Sequence, residues 1–365
     1  MKKIRVDLRK RSYNILVGKN IISSIGKVVT DLKLAQSCFI ITNPKIKKLF
    51  GSKLQAALNK ANLDSKFCIV ADSERSKSFA AWTKALASLA NFDKGKGAVV
   101  VVALGGGVVG DLAGFVAACY RRGVPFIQVP TTILAQVDSA IGGKVAIDTS
   151  FAKNMIGAFY QPKVVMSDID ALRTLPKRQI RSALAEIIKY GIILDKKLFA
   201  YIEKNLSKIL RLNAKCLEHI IARCSQLKAE VVSVDEKEKL GYRSILNFGH
   251  TIGHAIEAAS SYKQSLNHGE AIALGMLCAF DIAVTLKLAD SDSAARAERL
   301  IKKAGLPYKI RGANVSKILK ATSFDKKIIK GRRRWILPIN IGHVVISSNI
   351  PDAVVKEVIF RRISR

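Results

Sequence analysis

Residues 98–120 read AVVVVALGGGVVGDLAGFVAACY, and this stretch limits the possible folds more than any other. Seven apolar residues, Ala98 to Leu104, run without interruption into Gly105-Gly106-Gly107, and a helical pattern leaves from about Val108. A strand with no polar side has no face to offer solvent, so the run reads as a parallel strand covered on both faces. Gly105, Gly107 and Gly110 then satisfy G-x-G-x-x-G between a strand and a helix. In that setting backbone N–H groups can approach a pyrophosphate, and the helix N-terminus adds partial positive charge. A tight turn with no ligand would use the same glycines. The turn begins only at residue 105, and no acidic residue follows about 20 positions later, so a dinucleotide would be held differently from the usual Rossmann case.

The neighbouring sequence repeats the theme. Residues 38–42 read as a strand, with a turn at Asn43-Pro44 and a helix through Lys60. Residues 67–71 and 126–129 read as further strands, and 80–90 as a helix. This is an open α/β sheet with crossover helices. After Pro176 the texture changes: 179–189, 197–211, 217–232, 251–259 and 270–286 carry apolar residues at helical spacing, and strand-like runs return only at 335–337 and 344–346. The expectation is an α/β N-terminal domain over residues 1–176 and a mainly α-helical C-terminal domain over 177–365. A cleft between them is the natural place for a site.

Composition narrows the functional classes. The opening MKKIRVDLRKRSYN stays charged, and no apolar stretch reaches the ~20 residues of a spanning helix, so neither a secretory signal nor a membrane segment is expected. Six cysteines are scattered without a Cys-x-x-Cys pair, as in a reduced cytoplasmic protein. The net charge of +33 raises the question of nucleic acid. The basic residues are spread along the chain, however, with one dense cluster at Lys326 to Arg334 and no basic-aromatic interleaving. A small anionic ligand fits this pattern better than a nucleic acid.

Three of the five histidines, His250, His254 and His268, fall within 19 residues. The first two are spaced i, i+4 and share a helix face. A catalytic zinc typically takes three protein ligands and keeps one position open. Spacing does not say which of the three histidines would bind. Glu186, set among apolar neighbours in Ala183 to Lys189, is a candidate carboxylate, although a solvated glutamate would fit the same helix.

Taken together, the motifs resemble those of the 3-dehydroquinate synthases. The segments that carry the resemblance are GGGVVGDLAGFVAACYRRG (105–123), VPTTILAQVDSAIGGK (129–144), KNMIGAFYQP (153–162), TLPKRQIRSALAEIIKYG (174–191), KAEVVSVDE (228–236), LNFGHTIGHAIE (246–257) and HGEAIALGM (268–276). The resemblance implies a nucleotide-binding N-terminal domain, a metal- and substrate-binding C-terminal domain, and an active site between them. It implies zinc, or cobalt in its place, on Glu186, His250 and His268. It implies NAD contacts at Asn43, Glu74, Lys77, Gly106, Gly107, Asp111, Thr131, Thr132, Thr174 and Leu175, beside Gly105 and Gly110 of the glycine turn. Substrate contacts would fall on Arg122, Asp138, Lys144, Lys153, Asn154, Lys189, Lys228, Arg243, Asn247 and His254, with a late lysine at Lys326 or Lys327. Of these, His254, Lys144, Lys189, Asp138 and Asn247 are the implied catalytic groups.

The implied substrate is 3-deoxy-D-arabino-heptulosonate 7-phosphate, whose carboxylate and phosphate need cations. The implied path is transient oxidation of the C5 hydroxyl, β-elimination of phosphate, re-reduction, ring opening and aldol closure. The expected form is a cytoplasmic homodimer. Rival readings are a related sugar-phosphate cyclase of the 2-deoxy-scyllo-inosose synthase kind, an NAD-dependent polyol dehydrogenase, and a basic nucleic-acid-binding protein.

Overall fold

The apolar run is a strand, Val99–Gly105, buried along its whole length in a seven-stranded sheet. The computed structural model describes every residue except 96, 151, 260–265, 312–314, 324–327, 330–331 and 364–365. Its packing divides the chain into two units, Met1–Leu175 with Leu217–Lys237, and Pro176–Cys216 with Glu238–Arg365.

In chain order the first unit contains β1 (Lys2–Val6), β2 (Tyr13–Gly18), α1 (Ile25–Asp31), β3 (Ser37–Thr42), the single turn α2 (Pro44–Ile46), α3 (Ser52–Asn59), β4 (Asp64–Ile69), α4 (Phe79–Asp93), β5 (Val99–Gly105), α5 (Gly107–Cys119), β6 (Phe126–Pro130), β7 (Lys144–Ile147), β8 (Ile156–Phe159) and β9 (Val164–Asp168). The sheet order is β1-β2-β9-β6-β5-β3-β4, parallel throughout except for the edge pair β1–β2. β7 and β8 form a separate antiparallel hairpin.

Strand alternation sorts the core into two layers. Phe39 and Ile41 of β3 pack with Leu89 of α4 and with Leu112 and Val116 of α5. Cys38 and Ile40 point the other way, into Ile25 and Val29 of α1 and Leu54 and Leu58 of α3. The helices that follow β3 and β5 therefore cover opposite faces. The C-terminal ends of these two adjacent strands form a topological switch point, where open α/β sheets leave a crevice for ligands.

The sequence boundary at 176/177 differs from the observed division in one helix. Most of α8 (Ala214–Val234) and the residues just after it belong to the first unit. Ser225 Oγ donates to the Gln136 carbonyl (3.4 Å), Lys228 Nζ to Asp138 Oδ1 (2.6 Å), and Glu236 accepts from Gln161 (2.9 Å) and Arg11 (2.6 Å). Helical periodicity reports that a face is apolar but not which partner covers it.

The second unit contains α6 (Lys177–Ile193), α7 (Lys196–Leu210), α9 (His250–Ala259), α10 (His268–Thr285), α11 (Ser291–Lys303), α12 (Val315–Ser323), the short β10 (Ile328–Ile329) and β11 (Arg332–Arg333), β12 (Trp335–Asn340), β13 (His343–Ser347) and α13 (Asp352–Arg362). α10 is the central helix. By length and composition it alone among the described helices could cross a membrane, but 72% of it is buried inside the unit, which accounts for its apolarity. α13 is tied back by Arg362, which reaches Asp281 Oδ1 and Glu298 Oε2, each at 2.6 Å.

Candidate active site

Glu186 and Lys189 lie one turn apart on α6 and are each 1% exposed, a degree of burial that charged side chains rarely reach unless paired. They form an ion pair. Neither Glu186 oxygen makes a well-formed hydrogen bond among the described residues. Besides Lys189, Glu186 Oε1 faces His250 Nε2 at 3.6 Å and His268 Nε2 at 3.5 Å. One donor atom each from Glu186, His250 and His268 lie within 4.8 Å of one another. Ligands at about 2.1 Å from a tetrahedral ion would stand roughly 3.4 Å apart, so the carboxylate–imidazole spacings match a shared centre.

Ring chemistry supports the same grouping. His250 Nδ1 donates to the Phe248 carbonyl at 3.0 Å, which leaves the Nε2 lone pair aimed at the cluster. Burial, helped by the Lys189 charge, holds His250 well below the usual imidazole range, so it is neutral. Burial would lower His268 too, but the facing carboxylates of Glu186 and Glu257 push it up to about 9. Burial would raise Glu186, yet Lys189 and then His268 hold its carboxyl well below the usual range. A buried carboxylate without hydrogen bonds and two imidazoles is a donor set suited to a divalent metal ion. His254 is exposed, with its ring 5.2 Å from that of His250 and 5.8 Å from that of His268, outside the donor cluster. Among the described residues the donor atoms that lie together are those of Glu186, His250 and His268, the set the resemblance implies.

In the first unit, β5 ends at Gly105 and α5 starts at Gly107 with Gly106 as its N-cap. None of the glycines at 105, 106, 107 and 110 has positive φ. Close packing explains Gly110, where a Cβ would stand 2.9 Å from Gln128 Oε1. Asn43 follows β3, and Thr131 and Thr132 follow β6, so three neighbouring strand ends carry implied cofactor residues. Asn43 is buried; its Oδ1 accepts from Ile46 N (2.8 Å) and its Nδ2 donates to Asp72 (2.7 Å). Thr131 is buried with no partner for its hydroxyl among the described residues. The Thr132 hydroxyl accepts from Ala135 N (3.2 Å).

Lys77, Asp111 and Asn154 come together from three separate stretches of the chain. The Lys77 ammonium meets Asp111 Oδ2 at 2.8 Å and also bonds Asn154. Asp148 completes the cluster: its N–H donates to the Lys77 carbonyl (2.7 Å), and its carboxylate accepts from Asn154 N (2.8 Å). Burial pushes the Asp111 carboxyl up to about 6 against the opposing Lys77 charge. Glu74 stands at the exposed edge, 3.8 Å from Lys77.

The remaining implied residues scatter more widely. Lys228 Nζ donates to both the carbonyl and Oδ1 of Asp138, at 2.7 and 2.6 Å, joining two implied substrate residues. Arg122 is exposed and left-handed (φ 59), between Arg121 (φ 46) and Gly123 (φ 124). Lys144 opens β7, and both it and Lys153 are exposed. Thr174, whose hydroxyl donates to the Ala171 carbonyl (3.1 Å), and Leu175 close the last turn before α6. Arg243 is buried, 3.8 Å from Glu238, and Asn247 ends the turn that leads to His250. Lys326 and Lys327 lie outside the described residues. Asp72, Asp148 and Glu257 escape sequence reasoning because a lone acid carries no spacing signal.

Comparison with known proteins places these motifs. The 3-dehydroquinate synthase N-terminal model matches residues 67–182, and the 3-dehydroquinate synthase C-terminal model matches 183–328. The 3-dehydroquinate synthase of Caldanaerobacter subterraneus subsp. tengcongensis is 44% identical over 357 residues, 98% of this chain and 99% of that one. Among solved structures, a 2-deoxy-scyllo-inosose synthase complexed with carbaglucose-6-phosphate, NAD+ and Co2+ superposes with a TM-score of 0.88 at 26% identity, covering 99% of this chain and all of that one. The 2-epi-5-epi-valiolone synthase of Streptomyces hygroscopicus, solved with NAD+ and Zn2+, shares the fold with a TM-score of 0.86 at 22% identity, over 97% of this chain and 98% of that one. Matched by both halves of the family's models and by a near-full-length relative, and carrying a compact carboxylate–imidazole cluster, this chain belongs to the 3-dehydroquinate synthase family.

Proposed function

We propose that this chain is itself a 3-dehydroquinate synthase, a phosphate-eliminating lyase of aromatic amino acid biosynthesis. It would convert 3-deoxy-D-arabino-heptulosonate 7-phosphate to 3-dehydroquinate and phosphate, with NAD and zinc. The observation that carries this is the Glu186–His250–His268 cluster in a chain of 44% identity to a 3-dehydroquinate synthase. The 26% identity to the inosose synthase favours the rival cyclase reading less.

Glu186, His250 and His268 would hold the zinc, and the strand ends at Asn43, Gly105–Gly107 and Thr131–Thr132, with Asp111 and Lys77, would hold the NAD. When bound, these groups supply a Lewis acid and a reversible hydride acceptor. The protein does the rest. Arg122, Lys144, Lys153 and Arg243 neutralise the phosphate and carboxylate, Arg243 from a buried position where its charge acts with little screening. Lys189, paired with Glu186, presents a buried cation to substrate oxygen. The Lys228–Asp138 pair fixes Asp138 for a substrate hydroxyl. His254, exposed beside the cluster, is positioned to relay a proton.

The test is phosphate release from the heptulosonate phosphate with NAD+ at enzyme-level concentration. Many turnovers of phosphate without accumulating NADH are expected. NADH formed in proportion to substrate consumed would mean a polyol dehydrogenase instead.

A further inference from the structure

Three successive turns of α6 meet three consecutive residues at the start of α10. Arg178, Ser182 and Glu186 are spaced four apart and share one face of α6. Their partners run in reverse order. Arg178 forks onto Glu270, with Nε to Oε1 at 2.9 Å and Nη2 to Oε2 at 2.7 Å. Ser182 Oγ accepts from Gly269 N at 3.2 Å. Glu186 Oε1 faces His268 Nε2 at 3.5 Å. At the middle rung the helices touch closely: a Cβ on Gly269 would collide with the Ser182 carbonyl.

The outer rung also builds the helix end. Glu270 N donates to Asn267 Oδ1 and Asn267 N to Glu270 Oε2, each at 3.0 Å, a capping box around the turn that carries His268. Arg178 is 60% exposed, and exposed ion pairs contribute little to stability. Its bidentate geometry instead fixes direction and distance between the two helices.

We infer that Arg178, Ser182 and Gly269 are positioning residues that set the Glu186–His268 spacing and with it the metal affinity. The inference rests on the reading of Glu186, His250 and His268 as metal ligands. Sites need their ligands held within about 0.5 Å, and loss of an outer partner typically lowers metal affinity about 10–100-fold.

The experiment is zinc affinity by chelator competition, with the visible spectrum of the Co2+-loaded protein as a report on geometry. Arg178→Ala and Ser182→Ala are expected to weaken zinc by about tenfold or more and to alter the cobalt spectrum, while metal-free melting stays within a few degrees of wild type. Arg178→Lys should fall between, since an ammonium cannot fork. Gly269→Ala should weaken zinc most, and if it fails to fold the other variants still decide. Wild-type zinc binding with Arg178→Ala and Ser182→Ala within twofold of it would overturn the inference alone. A wild-type chain that takes up no zinc would overturn the metal reading and the inference with it.

Discussion

The Glu186–Lys189 pair offers a quantitative test of the site without any catalysis. In metal-free protein both groups are buried and each is the other's nearest opposite charge. Glu186→Gln would leave the Lys189 ammonium buried without its counter-charge. Breaking a buried pair from one side costs about 3–5 kcal/mol. The amide can still accept one hydrogen bond, so the lower end, about 3 kcal/mol, is expected. Lys189→Met should cost less, because His268 stays protonated below about pH 9 and still faces the carboxylate. The double variant removes both charges and should recover most of the loss, giving a coupling of at least about 2 kcal/mol. In thermal terms the Glu186→Gln protein should melt roughly 6–12 °C lower, at about 2–4 °C per kcal/mol for a unit of this size. Urea unfolding of the four proteins in excess chelator at pH 7.5 measures the cycle. Additivity within about 0.5 kcal/mol would refute the argument, since it would mean the two groups do not interact in the folded state.

Three further outcomes are expected. His254→Ala should keep its metal, measured by elemental analysis, while kcat falls roughly 100-fold or more; His250→Ala and His268→Ala should lose metal and activity together. The folded Glu270 carboxyl lies below its ordinary value of 4.5, held down chiefly by Arg178 against the effect of partial burial. Its stabilisation is therefore present above that value and lost as pH falls through the lower folded one, so an acid unfolding curve of Glu270→Gln should show a weaker pH dependence than wild type below about pH 4.5. With a net charge of +33, kcat/KM for an anionic substrate should fall as salt rises, because the Debye length shrinks from about 10 Å at 0.1 M to 3 Å at 1 M; a flat profile would argue against steering.

The interior of the sheet was legible because its strands are apolar on both faces. The runs at 38–42, 98–104 and 126–129 match β3, β5 and β6 within a residue or two. The edges were not. β1 carries Lys2, Lys3 and Arg5 and pairs on one side alone, so its pattern looks like a charged leader. β4 begins at Asp64 rather than near 67, because its exposed first half has a polar surface to spare. α11 is strongly amphipathic but so polar on average that its apolar stripe of Ala297, Leu300 and Ile301 is easily overlooked. At the site, types and spacing could nominate three histidines and a glutamate. Spacing alone did not choose among them; the resemblance implied Glu186, His250 and His268, and only side-chain direction from α6, α9 and α10 shows that their donor atoms lie together. Arg178 and Ser182 stand at i−8 and i−4 from Glu186, a visible spacing, but their partners Glu270 and Gly269 are some 90 residues away and nothing local points to them.

The return of α8 to the first unit has a consequence for biosynthesis. As the chain leaves the ribosome, residues 1–175 emerge with the whole sheet but without the segment 217–237 that completes their packing. Asp138 then has no Lys228, Gln161 no Glu236, and the Gln136 carbonyl no Ser225. At about 5–20 residues per second, this incomplete state lasts roughly 3–12 s on each nascent chain. During that interval part of the second unit is being made in the middle of the first. A fragment ending at 175 should therefore be poorly soluble, and supplying 176–365 in trans should rescue it only if that piece can surrender its helix to the other.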